Sequence, residues 1–246
     1  MSTSPRLVEV RARVLKQNDV LARELRERFR QTGVFTVSLV SSPGSGKTAF
    51  LEGVLARLSK RYRVAALVGD LATENDALRL QRAAPQVRQI TTGTICHLDA
   101  DMVSKGLQDW PLDRLDFLFI ENVGNLVCPA SYDLGEELRL VLLSTTEGED
   151  KPLKYPTIFN GADVAVLTKM DLAAATEFDL DAAMRNMQSV RPGIRVLQVS
   201  SKSGAGMEEA VALLESERNK RAANGIHRDP FATSGTSLKH APESIG

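Results

Sequence analysis

The sequence is short of several things, and each shortage excludes something. Its 246 residues carry 31 lysines and arginines against 31 aspartates and glutamates, so no net charge draws the chain to nucleic acid or to a membrane surface. No apolar run reaches the roughly 18 residues that a membrane-spanning helix needs. The first residues carry mixed charge, Glu9 among them, where a secretory leader would have an apolar core. A cytoplasmic protein that binds neither nucleic acid nor membrane is therefore expected. Cysteine is scarce: Cys96 and Cys128 are the two. In a cytoplasmic chain such a pair reads as thiols, metal ligands or catalytic groups rather than a disulfide.

What is present is ordinary for a globular protein: 43% hydrophobic and 25% charged residues, over a length that suits one domain with extensions. Leu7, Val10, Val14, Leu21, Leu25 and Phe29 recur at helical spacing over 5–31. Ser4 is placed to cap that helix, Pro5 to occupy its first turn and Gly33 to stop it. Apolar runs then alternate with helical patterns. Strands are expected at 34–40, 63–68, 87–90, 115–120, 139–143, 163–167 and 194–199, and helices at 48–59, 75–83, 98–105, 179–190 and 206–217. This order indicates an α/β fold of the P-loop NTPase kind. It is a three-layer sandwich whose mostly parallel sheet has helices on both faces, preceded by an N-terminal helix. Residues 1–33 read as a helical extension, 34–218 as the nucleotide domain and 219–246 as a polar tail expected to be disordered. Residues 122–136 and 144–157 read as long loops, which in compact α/β domains tend to carry function.

The run Ser41-Ser42-Pro43-Gly44-Ser45-Gly46-Lys47-Thr48 matches the phosphate-binding pattern G-x-x-x-x-G-K-[ST], with Ser41 in place of the first glycine. Its setting between strand and helix puts phosphates at a helix N-terminus, where Gly44, Ser45, Gly46, Lys47, Thr48 and Ala49 would bind them. Lys47 would reach the terminal phosphates and Thr48 would bind Mg²⁺. Asp70 and Glu121 close two expected strands, whose carboxyl ends line the ligand crevice of an open parallel sheet. Both are candidates for Mg²⁺ and catalysis, with Asp70 positioning the attacking water, although either could be an ordinary loop acid. Gly124 follows Glu121 by three residues, giving Glu-x-x-Gly, akin to the Asp-x-x-Gly switch of GTPases. Thr168-Lys169-Met170-Asp171 is similar to the guanine-reading Asn-Lys-x-Asp, with threonine for asparagine. Asp171 would accept from the guanine edge and Lys169 would pack across the base. Alternatively, Asp171 only caps a helix. Ser200-Ser201-Lys202 is similar to the second base loop, with Ser201 and Lys202 on the base. Order and spacing favour GTP over ATP.

Cys96-His97 and Cys128 supply ligands suited to Zn²⁺ or Ni²⁺. Three donors make either a labile site or half of one shared across a symmetric dimer. A Cys–His nucleophile fits poorly, because adjacent residues rarely aim at each other. From spacing alone, metal binding and buried thiols remain equally open.

Longer motifs add a resemblance. Residues 92–100 (TGTICHLDA), 121–130 (ENVGNLVCPA) and 146–156 (TEGEDKPLKYP), with Gly69-Asp70 and Asn75-Asp76-Ala77, resemble the HypB family of GTPases that assist nickel insertion into [NiFe]-hydrogenase. The resemblance covers about 34–215. It implies a SIMIBI-class GTPase with Mg²⁺ that forms a homodimer when GTP binds. It also implies Cys96, His97 and Cys128 as nickel or zinc ligands near the dimer interface, and a HypA-type nickel protein and the hydrogenase large subunit as partners. No cysteine precedes Cys96 and no histidine precedes His97, so the N-terminal nickel-capture motifs of many relatives are missing from this sequence. Three rivals stay open: a zinc-bound dimer locked by nucleotide, an ATP-dependent kinase or partitioning ATPase, and a GTPase serving another nickel enzyme such as urease.

Overall fold

The computed structural model describes residues 5–70, 75–84 and 86–223. Ser4 and the stretch beyond 223 lie outside the described residues. Seven strands form one sheet: β1 (Phe35–Ser41), β2 (Val64–Asp70), β3 (Gln86–Thr91), β4 (Phe117–Glu121), β5 (Leu138–Ser144), β6 (Val164–Thr168) and β7 (Arg195–Gln198). Their order is β3-β2-β4-β1-β5-β6-β7, and every neighbouring pair is parallel. The helices are α1 (Pro5–Thr32), α2 (Lys47–Leu58), α3 (Asn75–Leu80), α4 (Ala100–Gly106), α5 (Lys151–Lys154), α6 (Pro156–Asn160), α7 (Leu180–Val190) and α8 (Met207–Ala223).

The apolar runs read as strands because both faces of the sheet are covered. In β2, Val64, Ala66 and Val68 join a core with Phe50 and Val54 of α2 and Val211 of α8. Ala65 and Leu67, pointing the other way, join Phe29 of α1 and Val103 of α4. A third core packs Val141 of β5 against Phe159 of α6 and Met187 of α7. β1 lies where the chain changes direction: β2, β3 and β4 are placed on one side of it, β5, β6 and β7 on the other. The crevice beyond the carboxyl end of β1 is therefore the expected ligand site. Leu39 of β1 is registered against Glu121 of β4, which brings that acid to the mouth of the phosphate loop.

The elements depart from the sequence expectation in several places, α3 for one ending at Leu80 rather than 83. The expected loop 144–157 holds one short helix, α5, and the start of a second, α6, each with a proline in its first turn (Pro152, Pro156). The loop 122–136 holds a 3₁₀ turn, Cys128–Ser131. α4 starts at Ala100 rather than 98, because the Asp99 side chain caps it by accepting the Met102 N–H at 2.8 Å. α8 runs to Ala223, into residues expected to be tail. Arg218 pairs with Asp116 at 2.9 Å and lies over the Tyr62 and Phe117 rings, while Arg221 donates to the Val34 carbonyl at 2.7 Å. Along α1, Leu25 and Phe29 are buried but Val14 is 46% exposed. No helix among the described residues is long and apolar enough to cross a membrane.

One glycine is indispensable to the turn joining β7 to α8. Gly206 has φ of +73°, and a Cβ there would lie 1.9 Å from the Gln198 carbonyl oxygen. Gly206→Ala is expected to cost about 1–2 kcal/mol for the left-handed backbone and roughly 1–3 kcal/mol more for the clash. A urea midpoint equal to that of the wild type would show that the turn can rearrange without strain.

Candidate nucleotide and metal site

The phosphate loop leaves β1 at Ser41 and enters α2 at Lys47. Gly44 and Gly46 have φ of +72° and +88°, a backbone that glycine adopts without cost. The first N–H groups of a helix lack partners within it, and Gly46, Lys47, Thr48 and Ala49 at the start of α2 line the crevice, as an anion site requires. Ser41, at the position where the pattern has glycine, is the centre of this loop. Its hydroxyl donates to the Ser42 carbonyl at 2.8 Å and accepts from Ser45 Oγ at 2.5 Å and from Lys47 Nζ at 2.9 Å. The sequence comparison registers only a lost glycine. The structure gives that hydroxyl a task, holding the buried Lys47 in place.

The acid side is equally tight. Thr48 Oγ1 donates to Glu121 Oε1 at 2.7 Å, and Glu121 Oε2 is buried with no hydrogen-bond partner among the described residues. Burial pushes the Glu121 carboxyl up to about 7, against the opposing charge of Lys47 and the bond from Thr48. Burial also pushes the Lys47 ammonium down. Each is held with less counter-charge than its burial demands, a balance that Mg²⁺ and a polyphosphate would redress. Hard oxygen donors, one of them unpartnered, are the kind of set that Mg²⁺ takes. Lys47, Thr48, Ala49, Asp70, Asp76 and Glu121 line one cleft of about 390 Å³. Asp76 received no role from the sequence, although it sits in one of the segments that carry the family resemblance.

The two segments expected to read the base meet on the far side of the phosphate loop. Thr168, where the tetrad has asparagine, donates its hydroxyl to the Ser45 carbonyl at 2.6 Å, and Lys169 Nζ donates to the Gly44 carbonyl at 2.8 Å. Lys169 has φ of 56°, a left-handed backbone costing a non-glycine residue about 1–3 kcal/mol. Two hydrogen bonds hold it there: Thr145 Oγ1 to the Lys169 carbonyl at 3.0 Å, and Met170 N–H to the Val199 carbonyl at 3.1 Å. Asp171 accepts from Ser200 Oγ at 2.6 Å. Ser201 and Lys202 are exposed in the next turn, so the side-chain link between these two segments belongs to Ser200. The Glu147 carboxylate accepts the Ser144 N–H at 3.0 Å, which braces the loop that carries Thr145.

The cysteines and histidine also come together. One donor atom from each of Cys96, His97 and Cys128 lies within 4.8 Å of the others. The two Sγ atoms are 3.1 Å apart, well beyond the bond length of about 2.05 Å for a disulfide. His97 packs against Tyr132 with ring centroids 4.0 Å apart and the rings tilted by 38°, and its buried Nδ1 has no hydrogen-bond partner among the described residues. Burial pushes the imidazole below its ordinary range, against the pull of Asp99, which favours the neutral form with a lone pair to give. Buried thiols in an apolar core would not explain the orphaned nitrogen, which costs about 1–3 kcal/mol if nothing binds it. The donor set is one that takes Zn²⁺ or Ni²⁺.

Fold and site together define a P-loop nucleotide-binding protein with a sulfur- and nitrogen-donor cluster set beside its nucleotide cleft. Comparisons with known proteins agree. Residues 35–198 match the family model described as CobW/HypB/UreG, nucleotide-binding domain. The chain is 45% identical over 217 residues to the hydrogenase maturation factor HypB of Rhizobium leguminosarum bv. viciae, covering 88% of this chain and 73% of that one. It is 41% identical over 215 residues to the hydrogenase/urease maturation factor HypB of Helicobacter hepaticus, covering 86% and 88%. The solved structure of HypB from Helicobacter pylori in complex with nickel superposes with a TM-score of 0.79 at 40% identity, covering 83% of this chain and 96% of that one. The chain belongs to the HypB family.

Proposed function

We propose that this protein is a GTP-hydrolysing metallochaperone that carries nickel for [NiFe]-hydrogenase maturation, with dimerisation on GTP coupled to release of the metal. The observation that carries the reading is placement: Cys128 lies in the loop that leaves β4 at Glu121, and Cys96-His97 lie in the loop that leaves β3, whose last residue Thr91 pairs with Asp70 at the end of β2. The relatives' names and the nickel complex of the Helicobacter pylori protein support the cargo.

In this reading Lys47 exchanges Ser41 Oγ for the β- and γ-phosphate oxygens, and the N–H groups of the loop cradle the remaining charge. Thr48 and Glu121, with Asp70 across the cleft, hold Mg²⁺, which neutralises charge developing on the phosphates. Asp70 positions the attacking water. Asp171 reads the guanine edge, Lys169 spans the base, and Ser201 and Lys202 close over it. Nickel is cargo, taken by the two thiolates and the imidazole, and a second copy of the chain brings a second set. A HypA-type nickel protein and the hydrogenase large subunit are the partners, in the cytoplasm.

Size-exclusion chromatography with GDP or a non-hydrolysable GTP analogue, each with and without Ni²⁺, tests the reading. A dimer is expected with the GTP analogue and a monomer with GDP. An elution volume indifferent to nucleotide would remove the dimer from the cycle. Binding of ATP as tight as GTP would point instead to an ATP-dependent enzyme. Nickel binding that is equally tight in both nucleotide states would favour a metal-stabilised scaffold.

A further inference from the structure

We propose that Asn122 is the positioning residue that passes the nucleotide state to the metal cluster, while Asn18 of α1 holds the other side of the cluster still. The proposal rests on the metallochaperone reading above and deepens it.

Asn122 directly follows Glu121 and is 1% exposed. Its backbone N–H donates to the Leu39 carbonyl at 3.0 Å, so it moves with the centre of the sheet. Its Oδ1 accepts two N–H groups at 2.9 Å, from Val123 and from Leu98. Leu98 is the residue after His97. Its buried side chain sits on Gly69 so closely that a Cβ there would lie 2.7 Å from Leu98 Cγ. Gly69 precedes Asp70, whose carbonyl accepts the Thr92 N–H at 2.9 Å. The Cys96-His97 segment is thus slung between the ends of β2 and β4, the strands that deliver Asp70 and Glu121 to the cleft. Two residues beyond Asn122, Gly124 lies against the phosphate loop, where a Cβ would come 2.8 Å from Pro43 Cα. A shift of Glu121–Gly124 against the phosphate loop reaches His97 through the Asn122 amide oxygen at 2.9 Å, beside a longer bond of 3.4 Å from Asn125 Nδ2 to the Cys96 carbonyl.

The opposite side has a separate anchor. Asn18 is 4% exposed. Its Oδ1 accepts the Ala100 N–H and its Nδ2 donates to the Asp133 carbonyl, both at 2.9 Å. Arg26 grips both Asp133 carboxylate oxygens at 2.7 and 2.8 Å. Asp133 adjoins Tyr132, the ring beneath His97. Asn18, Ala100 and Asp133 are not among the residues lining the nucleotide cleft. Asn122 therefore makes the shorter tie from the His97 segment to the nucleotide side, and Asn18 ties the same segment to α1.

The test is Ni²⁺ titration of full-length protein saturated with GDP or with a non-hydrolysable GTP analogue. Coupled sites commonly differ about 5–150-fold in affinity, and the wild type is expected within that range. Asn122→Ala is expected to bring the ratio of the two affinities close to one. Asn18→Ala is expected to weaken both affinities by the same factor and leave the ratio intact, as any loosening of the cluster would. A ratio preserved in Asn122→Ala overturns the proposal, as does one lost equally in both variants. If Asn122→Ala does not fold, Gly69→Ala pushes Leu98 from the other side and must abolish the ratio too. A wild type that binds no Ni²⁺, or binds it equally in both states, defeats the underlying reading instead.

Discussion

Lys47→Ala is expected to lower GTP hydrolysis by at least about 10²-fold, the usual cost of removing one preorganised group that stabilises transition-state charge, while leaving the fold as stable as before or more so. The two halves of this expectation have one cause. Lys47 is 7% exposed, and burial lowers its pKa below the ordinary lysine range despite the attraction of Glu121. A lysine whose folded-state pKa is depressed binds its proton less readily folded than unfolded. At neutral pH the charged form therefore weakens the fold, and removing it relieves that strain. Opposing this, the variant gives up the 2.9 Å bond to Ser41 Oγ and leaves Glu121 without its nearest cation. Because Glu121 titrates near 7, it can take up a proton rather than remain an unpaired buried charge. Steady-state hydrolysis and thermal melting of the nucleotide-free protein measure the two halves. Hydrolysis at the wild-type rate would sink the catalytic assignment. A melting temperature several degrees lower would show that Lys47 holds the loop together.

The sheet and the phosphate loop were legible in the sequence because their signals are local. Each buried strand is a short apolar run, and the loop is written in consecutive residues with two glycines where φ is positive. The cluster of Cys96, His97 and Cys128 was legible only in part. The donor types could be named, but their approach depends on two loops leaving different strands, which spacing does not encode. What stayed hidden is held by side chains reaching distant backbone. Asn18 and its partner Asp133 are 115 residues apart, and nothing near Asn18 distinguishes it from any polar residue on an amphipathic helix. The end of α8 was hidden for the same reason: residues from 219 onward read as a polar tail until Arg221 is seen donating to the Val34 carbonyl, 187 residues earlier. Ser41 was hidden by the pattern itself, since a glycine template records a substitution as a loss. α5 and α6, of 4 and 5 residues, are too short for any periodicity to show.

Removing both thiols should have the second large effect, and thermodynamic linkage makes it a sharp one. Losing a ligand costs more than the roughly 10–100-fold that follows loss of a ligand's outer-shell partner. Cys96→Ala and Cys128→Ala are each expected to lose at least that much Ni²⁺ affinity. Their effects should not add, because one thiolate and the imidazole of His97 already make an incomplete site. Cys128 lies seven residues beyond Glu121 in the chain, and Cys96 precedes the segment that Asn122 holds. If nucleotide state changes Ni²⁺ affinity by some factor, Ni²⁺ must change the relative affinity for GDP and a GTP analogue by the same factor. Competition between the two nucleotides, with and without Ni²⁺, therefore measures the coupling from the other end and needs no turnover. In the wild type the two factors should agree. In Cys96→Ala/Cys128→Ala protein the effect of Ni²⁺ on nucleotide preference should vanish. Its persistence with both thiols gone would mean that nickel is sensed elsewhere on the chain.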